Sequence, residues 1–243
     1  MEELLAAAES ISTKQRIVLG LHWIWKPFQD WQILKIKEVK AMINFVLPKG
    51  RLMTKAAKLL KQIEIEIKEP EDRELIVKAG SFSWIYSRVF DVPVFVENGI
   101  DLGISGSDVI DELESDVFIP LELPFGQCRL SVITPVEKKI QIEQMNNYRI
   151  ATKFPNITKK FFANAGIDVN VIKLHGSMEL APKVGVADAI VDIVDSGNTI
   201  KANGLQEIFK IQDVGARLIV NRVSQKTKFD EINDLVDRLS KIL

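Results

Sequence analysis

The residues best suited to chemistry lie between Glu179 and Thr199, which read ELAPKVGVADAIVDIVDSGNT. Ala189 to Val194 is an apolar strand that runs directly into a small polar turn, Asp195-Ser196-Gly197-Asn198-Thr199. Gly197 lets the backbone take φ > 0 and come close to a ligand. The N–H groups of a following helix start point outward and favour an anion. Ser196, Asn198 and Thr199 add side-chain donors. Asp192 and Asp195 flank the turn, and a bare phosphate has no use for carboxylates. Ribose hydroxyls do need acceptors, so the pattern suggests a phosphoribosyl group.

Other residues fit the same chemistry. Lys49 and Arg51 bracket a strand-to-helix junction and read as a solvated helix start or as cations for phosphate. Arg73 lies in the charged run 69–74, which reads as a solvated loop with weak surface pairs or as a further cation site. His22 and His175 are the only histidines and Cys128 the only cysteine, so a His/Cys metal site is not expected. Cys128 reads as a buried, inert thiol. Trp23, Trp25 and Trp31 have only Lys26 as a basic neighbour, and read as an apolar packing face rather than a base-stacking platform.

The elements that must position these residues follow a βα rhythm from Met42 onward. Ile43–Leu47 is a short strand, 48–50 a loop, and Arg51–Ile63 a helix with Leu52, Ala56, Leu59, Leu60 and Ile63 at helical spacing. Asp91-Val92-Pro93 opens a helix that Gly99 closes. Asp101–Gly106 is a strand leaving into a Gly/Ser turn, and Ser107 or Asp108 begins the next helix. Strands follow at 129–134, 149–152, 169–174 and 216–221. The helix after Phe154-Pro155-Asn156 ends at Gly166, and His175-Gly176-Ser177 is a turn. The last helix carries an apolar stripe of Phe229, Ile232, Leu235, Val236, Leu239 and Ile242.

Strands alternating with helices predict an α/β architecture. Polar turns at Lys49, 103–108, 175–177 and 195–199 would then gather at carboxyl ends of strands, where open sheets bind ligands. Residues 1–41 break this rhythm and read either as an extension or as an extra helix on the surface. The expected division is 42–130 plus 219–243 as one lobe and 131–218 as the other.

Bulk properties narrow the function. The 243 residues are 47% apolar and 27% charged, with net charge −1, so no global basic field draws the chain to nucleic acid. One cysteine excludes an intrachain disulfide. No apolar run approaches the ~18 residues of a membrane span, and no signal peptide is evident. A cytoplasmic protein is expected.

Seven segments in order carry a family resemblance: 47–51 (LPKGR), 88–93 (RVFDVP), 101–108 (DLGISGSD), 126–129 (GQCR), 150–156 (IATKFPN), 176–182 (GSMELAP) and 188–199. From Met42 on, the chain resembles the short form of ATP phosphoribosyltransferase. The resemblance implies an α/β, two-lobed fold like a type II periplasmic binding protein, with the active site in the cleft. It implies transfer of the ribosyl group of 5-phosphoribosyl pyrophosphate (PRPP) to N1 of the adenine of ATP, the first step of histidine biosynthesis. Mg²⁺ would accompany the phosphates. Partners would be a second copy of the chain and a regulatory subunit resembling histidyl-tRNA synthetase. The resemblance to the short form, with the last helix at the C-terminus, implies that no C-terminal regulatory domain is expected.

By the same resemblance Arg51, Arg73 and Lys49 would meet the departing pyrophosphate. Asp192, Asp195, Ser196, Gly197, Asn198 and Thr199 would hold PRPP. Asp108, Lys153 and Ser177 would line the ATP side. The turn reads Asp-Ser-Gly where Glu-Thr-Gly is usual, which keeps charge and hydroxyl but shortens reach. Ile200 replaces the usual Leu or Met, a packing change. Two other functions remain to be weighed: a solute-binding module using the same cleft, and a non-catalytic subunit of a histidine-pathway complex. The first lacks its usual export signal, and the second predicts lost charge at Arg51 or the turn, where none is lost.

Overall fold

The computed structural model describes residues 42–68 and 74–243. Arg73, the tryptophan cluster and the 1–41 extension lie outside the described residues.

The first strand, β1 (Ile43–Pro48), shows why the chain layers as it does. Phe45 and Leu47 are buried on one face against α1 (Arg51–Gln62) and the final helix α8 (Phe229–Ser240). Val46 points the other way, into a second cluster with α2 (Asp91–Glu97) and α3 (Ser107–Leu113). A parallel strand covered on both faces needs apolar residues at consecutive positions, and INFVLP supplies them. Around β1 lie β2 (Ile76–Ala79), β3 (Phe82–Ser87), β4 (Leu102–Gly106), β5 (Phe118–Glu122) and β11 (Ala216–Val220), in the order β2-β3-β1-β4-β11-β5. β1, β3 and β4 are mutually parallel, so their carboxyl ends share one edge.

The second sheet has the order β10-β6-β9-β7-β8, from β6 (Cys128–Pro135), β7 (Tyr148–Thr152), β8 (Val169–Lys173), β9 (Ala189–Val194) and β10 (Leu205–Val214). β7, β8 and β9 are parallel and end on one edge. Val191 packs with α4 (Pro155–Asn164) on one face. Ile190 packs on the other with Ala181 of α5 (Leu180–Lys183) and Ile200 of α6 (Asn198–Ala202). A short α7 (Ser224–Thr227) precedes α8.

Among the described residues the chain crosses between sheets twice, between Glu122 and Cys128 and between Val214 and Ala216. The boundaries read from the sequence, after 130 and before 219, therefore move to these crossings. Alternation of apolar residues locates a strand but not the sheet it joins. The stripe of α8 is buried at Ile232, Leu235 and Leu239, while Phe229 is 57% and Ile242 38% exposed at its ends. β2, β3, β5 and β10 are strands that the sequence pattern left unassigned. Among the described residues no helix is long and apolar enough to cross a membrane.

Candidate active site

The carboxyl edges of the two sheets face a cleft of about 460 Å³. Lys49, Arg51, Lys55, Phe90 and Asp108 line it from the first sheet's lobe, and Lys153, Phe154, Asp192 and Asp195 from the second. Gln127 and Cys128, at a crossing, close its floor. Sequence order separates these residues widely; the carboxyl ends of parallel strands in the two sheets bring most of them to the cleft.

β9 ends at Val194, and the polar turn begins at the cleft with Asp195. Gly197 sits at φ 79°, ψ 0° immediately before α6. That left-handed conformation is strained for any residue with a Cβ, which explains the glycine. The protein itself leaves room there, since the nearest atom to an added Cβ would be Val194 Cγ1 at 3.9 Å. Ser196, Asn198 and Thr199 are exposed, with their donors open to solvent. Thr199 and Asn198 lie in the first turn of α6, where backbone N–H groups lack helical partners.

A side-chain network missed in the sequence holds the turn. Arg129 Nη1 donates to the Asp195 carbonyl at 3.3 Å. The same guanidinium clasps Glu207 through Nε at 2.7 and 3.0 Å and through Nη2 at 2.5 Å. Ser131 Oγ donates to Glu207 at 2.8 Å. Arg129 beside it holds the Glu207 carboxyl below its ordinary value, outweighing partial burial. Arg129 was visible in GQCR, but Glu207 lies 78 residues away on a strand that the pattern did not reveal.

The opposite wall carries the cations. Arg51 Nη1 lies 3.7 Å from Asp195 Oδ2, a contact that bridges the lobes. Both side chains are largely exposed, at 91% and 69%, so water screens the pair and leaves Arg51 free to meet an anion. Lys49 precedes it in the loop. Lys55, one turn along α1, joins the same wall. Its i, i+4 spacing from Arg51 was the available signal.

Two carboxylates sit deeper. Asp108 is 5% exposed and lies over Gly106, where any Cβ would collide with its carboxylate. Burial pushes its carboxyl up to about 6, against the backbone N–H groups of Val109 and of Asp108 itself, with Asp111 and Asp192 pushing the same way. Asp192 is raised too, by burial first; Glu179 adds to this, while the Ile193 N–H and Lys153 oppose it. The cleft's interior thus disfavours negative charge, while Arg51 and Asp195 stand exposed to solvent.

Lys153 is half-buried in the second wall. Ser177 is exposed at φ 53° and is not among the residues lining the cleft. Its turn sits at the same sheet edge, after β8, and the adjoining Met178 packs with Val194 and Ile200 beneath the polar turn. Cys128 is only half-buried and lines the cleft, which its reading as a buried residue did not place. Burial, Asp108 and Asp195 push its thiol up to about 11, so it is protonated at neutral pH. Among the described residues no group of three His, Cys, Asp or Glu side chains could hold a metal ion.

Cations on one wall, a donor-rich turn on the other and carboxylates between them suit a ligand with two phosphate ends and a sugar at its middle. Comparison with known proteins agrees. The family described as ATP phosphoribosyltransferase matches residues 88–241. The ATP phosphoribosyltransferase of Pyrococcus furiosus is 56% identical over 199 residues, 82% of this chain and 98% of that relative. The one from Thermococcus gammatolerans is 55% identical over 83% of this chain and 98% of its own length. Among solved structures, the ATP phosphoribosyl transferase (HisG:HisZ) complex from Thermotoga maritima superposes with a TM-score of 0.74 at 33% identity, covering 83% of this chain and 98% of that one. The periplasmic aliphatic sulphonate binding protein SsuA of Escherichia coli, 16% identical with a TM-score of 0.57, covers 83% of this chain and 72% of its own and shares the fold alone. The chain belongs to the ATP phosphoribosyltransferase family.

Proposed function

From that membership, we propose how this chain's residues divide the work of joining ATP to PRPP. The enzyme forms N1-(5-phosphoribosyl)-ATP and pyrophosphate, the first step of histidine biosynthesis. Adenine N1 brings its own lone pair to ribose C1. The C1–O bond breaks and the electron pair leaves with pyrophosphate. The exocyclic amine then loses a proton to give the neutral product. The nucleophile needs no strong base, so the barrier lies in separating charge at the sugar, and positioning and electrostatics must lower it.

The 5′-phosphate sits on the Asp195–Thr199 turn, where Ser196, Asn198, Thr199 and the α6 N–H groups donate. Asp192 and Asp195 take the ribose hydroxyls, and a carboxylate there also faces the positive charge growing on the ring. Pyrophosphate lies toward Arg51, with Lys49 adding a point charge; Arg51 supplies the planar fork of donors that suits phosphate. Arg73 belongs to the same role by resemblance alone. Asp108 and Lys153 face the adenine nucleotide, and Ser177 borders the ribose phosphate rather than the cleft interior. The observation that carries this division is the opposition of Arg51 and Asp195 across the cleft, 3.7 Å apart.

Mg²⁺ would come with the substrates and would supply positive charge to the leaving group. Asp192 and Asp195 are oxygen donors of the right hardness to approach such an ion, and they are too few to cage it. The Thermotoga maritima likeness is to a complex of HisG with HisZ. By that likeness this chain pairs with a HisZ subunit; the sequence resemblance adds a second copy of the chain and likens the regulatory subunit to histidyl-tRNA synthetase. A cytoplasmic location fits its single cysteine and its nucleotide substrates.

The test is turnover of the purified chain with ATP, PRPP and Mg²⁺, with and without the regulatory subunit. A near-ultraviolet chromophore of N1-substituted adenine that needs both substrates is expected. No product in either case overturns the reading.

A further inference from the structure

Glu112 stands one helical turn after Asp108 on α3, with only 3% of its surface exposed. A buried carboxylate is costly unless its oxygens are satisfied. Here the partners come from the other lobe. Both Glu112 oxygens accept the Asn156 backbone N–H at 3.0 Å, and Oε2 accepts the Ile157 N–H at 3.0 Å. Asn156 Nδ2 returns a bond to the Glu112 carbonyl at 2.9 Å. These N–H groups open α4, which has no capping side chain of its own. The carboxylate therefore also meets the positive end of the α4 dipole.

The two helices clasped in this way each carry a cleft residue at their start. α3 begins beside Asp108, and α4 follows Lys153 and Phe154. Phe90 of the first lobe rests on Phe154 of the second, ring centres 5.6 Å apart, beside the same junction. Among the described residues the chain crosses between lobes in two short segments, and the clasp works beside two other contacts between the lobes, Gln212 Nε2 donating to Asp111 Oδ2 at 2.9 Å and Arg51 meeting Asp195.

We propose that Glu112 is a positioning residue for phosphoribosyl transfer: by capping α4 from the opposite lobe, it sets the width of the cleft and keeps Asp108 and Lys153 in register before substrate arrives. This rests on both substrates binding between the lobes. A protein whose closed form is less populated binds ligand more weakly by the same factor. Two substrates that bridge the cleft restore closure once they are bound.

Full-length Glu112→Ala is compared with wild type for KM of each substrate, for kcat, and for radius of gyration by solution scattering. The expected result is a rise of about tenfold in both KM values with kcat within about twofold. The free variant should be more extended than wild type and contract with ATP and PRPP. Glu112→Gln keeps one acceptor oxygen and should fall between, and it carries the same test if the alanine variant does not fold. Unchanged KM values, a rise for one substrate alone, or a fall in kcat alone overturns the proposal. Wild-type protein without turnover would refute the transferase reading instead, and scattering would still decide the clasp.

Discussion

Asp108→Asn should stabilise this protein at neutral and alkaline pH while weakening its function. The carboxyl of Asp108 titrates near 3.8 in an unfolded chain and is pushed up to about 6 in the folded one, chiefly by burial. Between these values the native state binds more protons than the unfolded state, so stability falls as pH rises through the window. The penalty is absent below the unfolded value and complete above the folded one. The displacement corresponds to about 3 kcal/mol, since each pKa unit is about 1.4 kcal/mol. Asparagine has the same shape and keeps an oxygen for the Val109 N–H, but it never has to be buried as an anion. The variant should gain about 3 kcal/mol at pH 8 and roughly half of that at pH 5. Urea unfolding of both proteins across this range is the assay. A variant no more stable than wild type at pH 8, or a gap independent of pH, would refute the reasoning. A carboxylate kept at such a cost would be expected where stability is traded for activity.

Other perturbations probe the remaining parts. Gly197→Val places a β-branched residue at φ 79°, at a cost of about 1–3 kcal/mol, and should abolish PRPP binding; unchanged calorimetric affinity would refute the turn's role. Arg51→Ala should lower kcat about a hundredfold while ATP affinity stays within a few-fold; a loss confined to ATP binding would assign it elsewhere. Glu207→Gln should raise KM for PRPP but not for ATP, because Arg129 then holds the Asp195 carbonyl less firmly. Since pairing lowers the Glu207 pKa, its stabilisation is present above its ordinary value of 4.5 and lost as pH falls through the folded value. The variant's deficit in urea should therefore shrink in acid, and a deficit that grows would contradict the pairing.

Much of the site could be read because short polar turns follow apolar strands in this chain. Asp195–Thr199 and Lys49–Arg51 announced themselves by local contrast. The apolar runs at β1 and β9 were legible because parallel strands are buried on both faces. β10 was not, since Glu207, Lys210 and Asp213 give it the texture of a surface loop while it pairs along β6. Its obscurity hid Glu207. Glu112 was hidden for a different reason: an acidic residue in a helix reads as solvated, and only the docking of α4 shows that it is buried. Ser177 was drawn toward the interior by its neighbours in the motif, yet it lies outside the cleft's lining. The lobe boundaries slipped by a few residues because sheet membership depends on pairing, which no single strand encodes.

The division of the cleft into a sugar-phosphate end and a pyrophosphate end is the central claim. Its most direct test is calorimetric titration of ribose 5-phosphate and of Mg²⁺-pyrophosphate, separately, into wild type, Thr199→Val and Arg51→Ala. Thr199→Val should lose affinity for ribose 5-phosphate alone and Arg51→Ala for pyrophosphate alone. Equal losses of both ligands in either variant, or the opposite assignment, would contradict it.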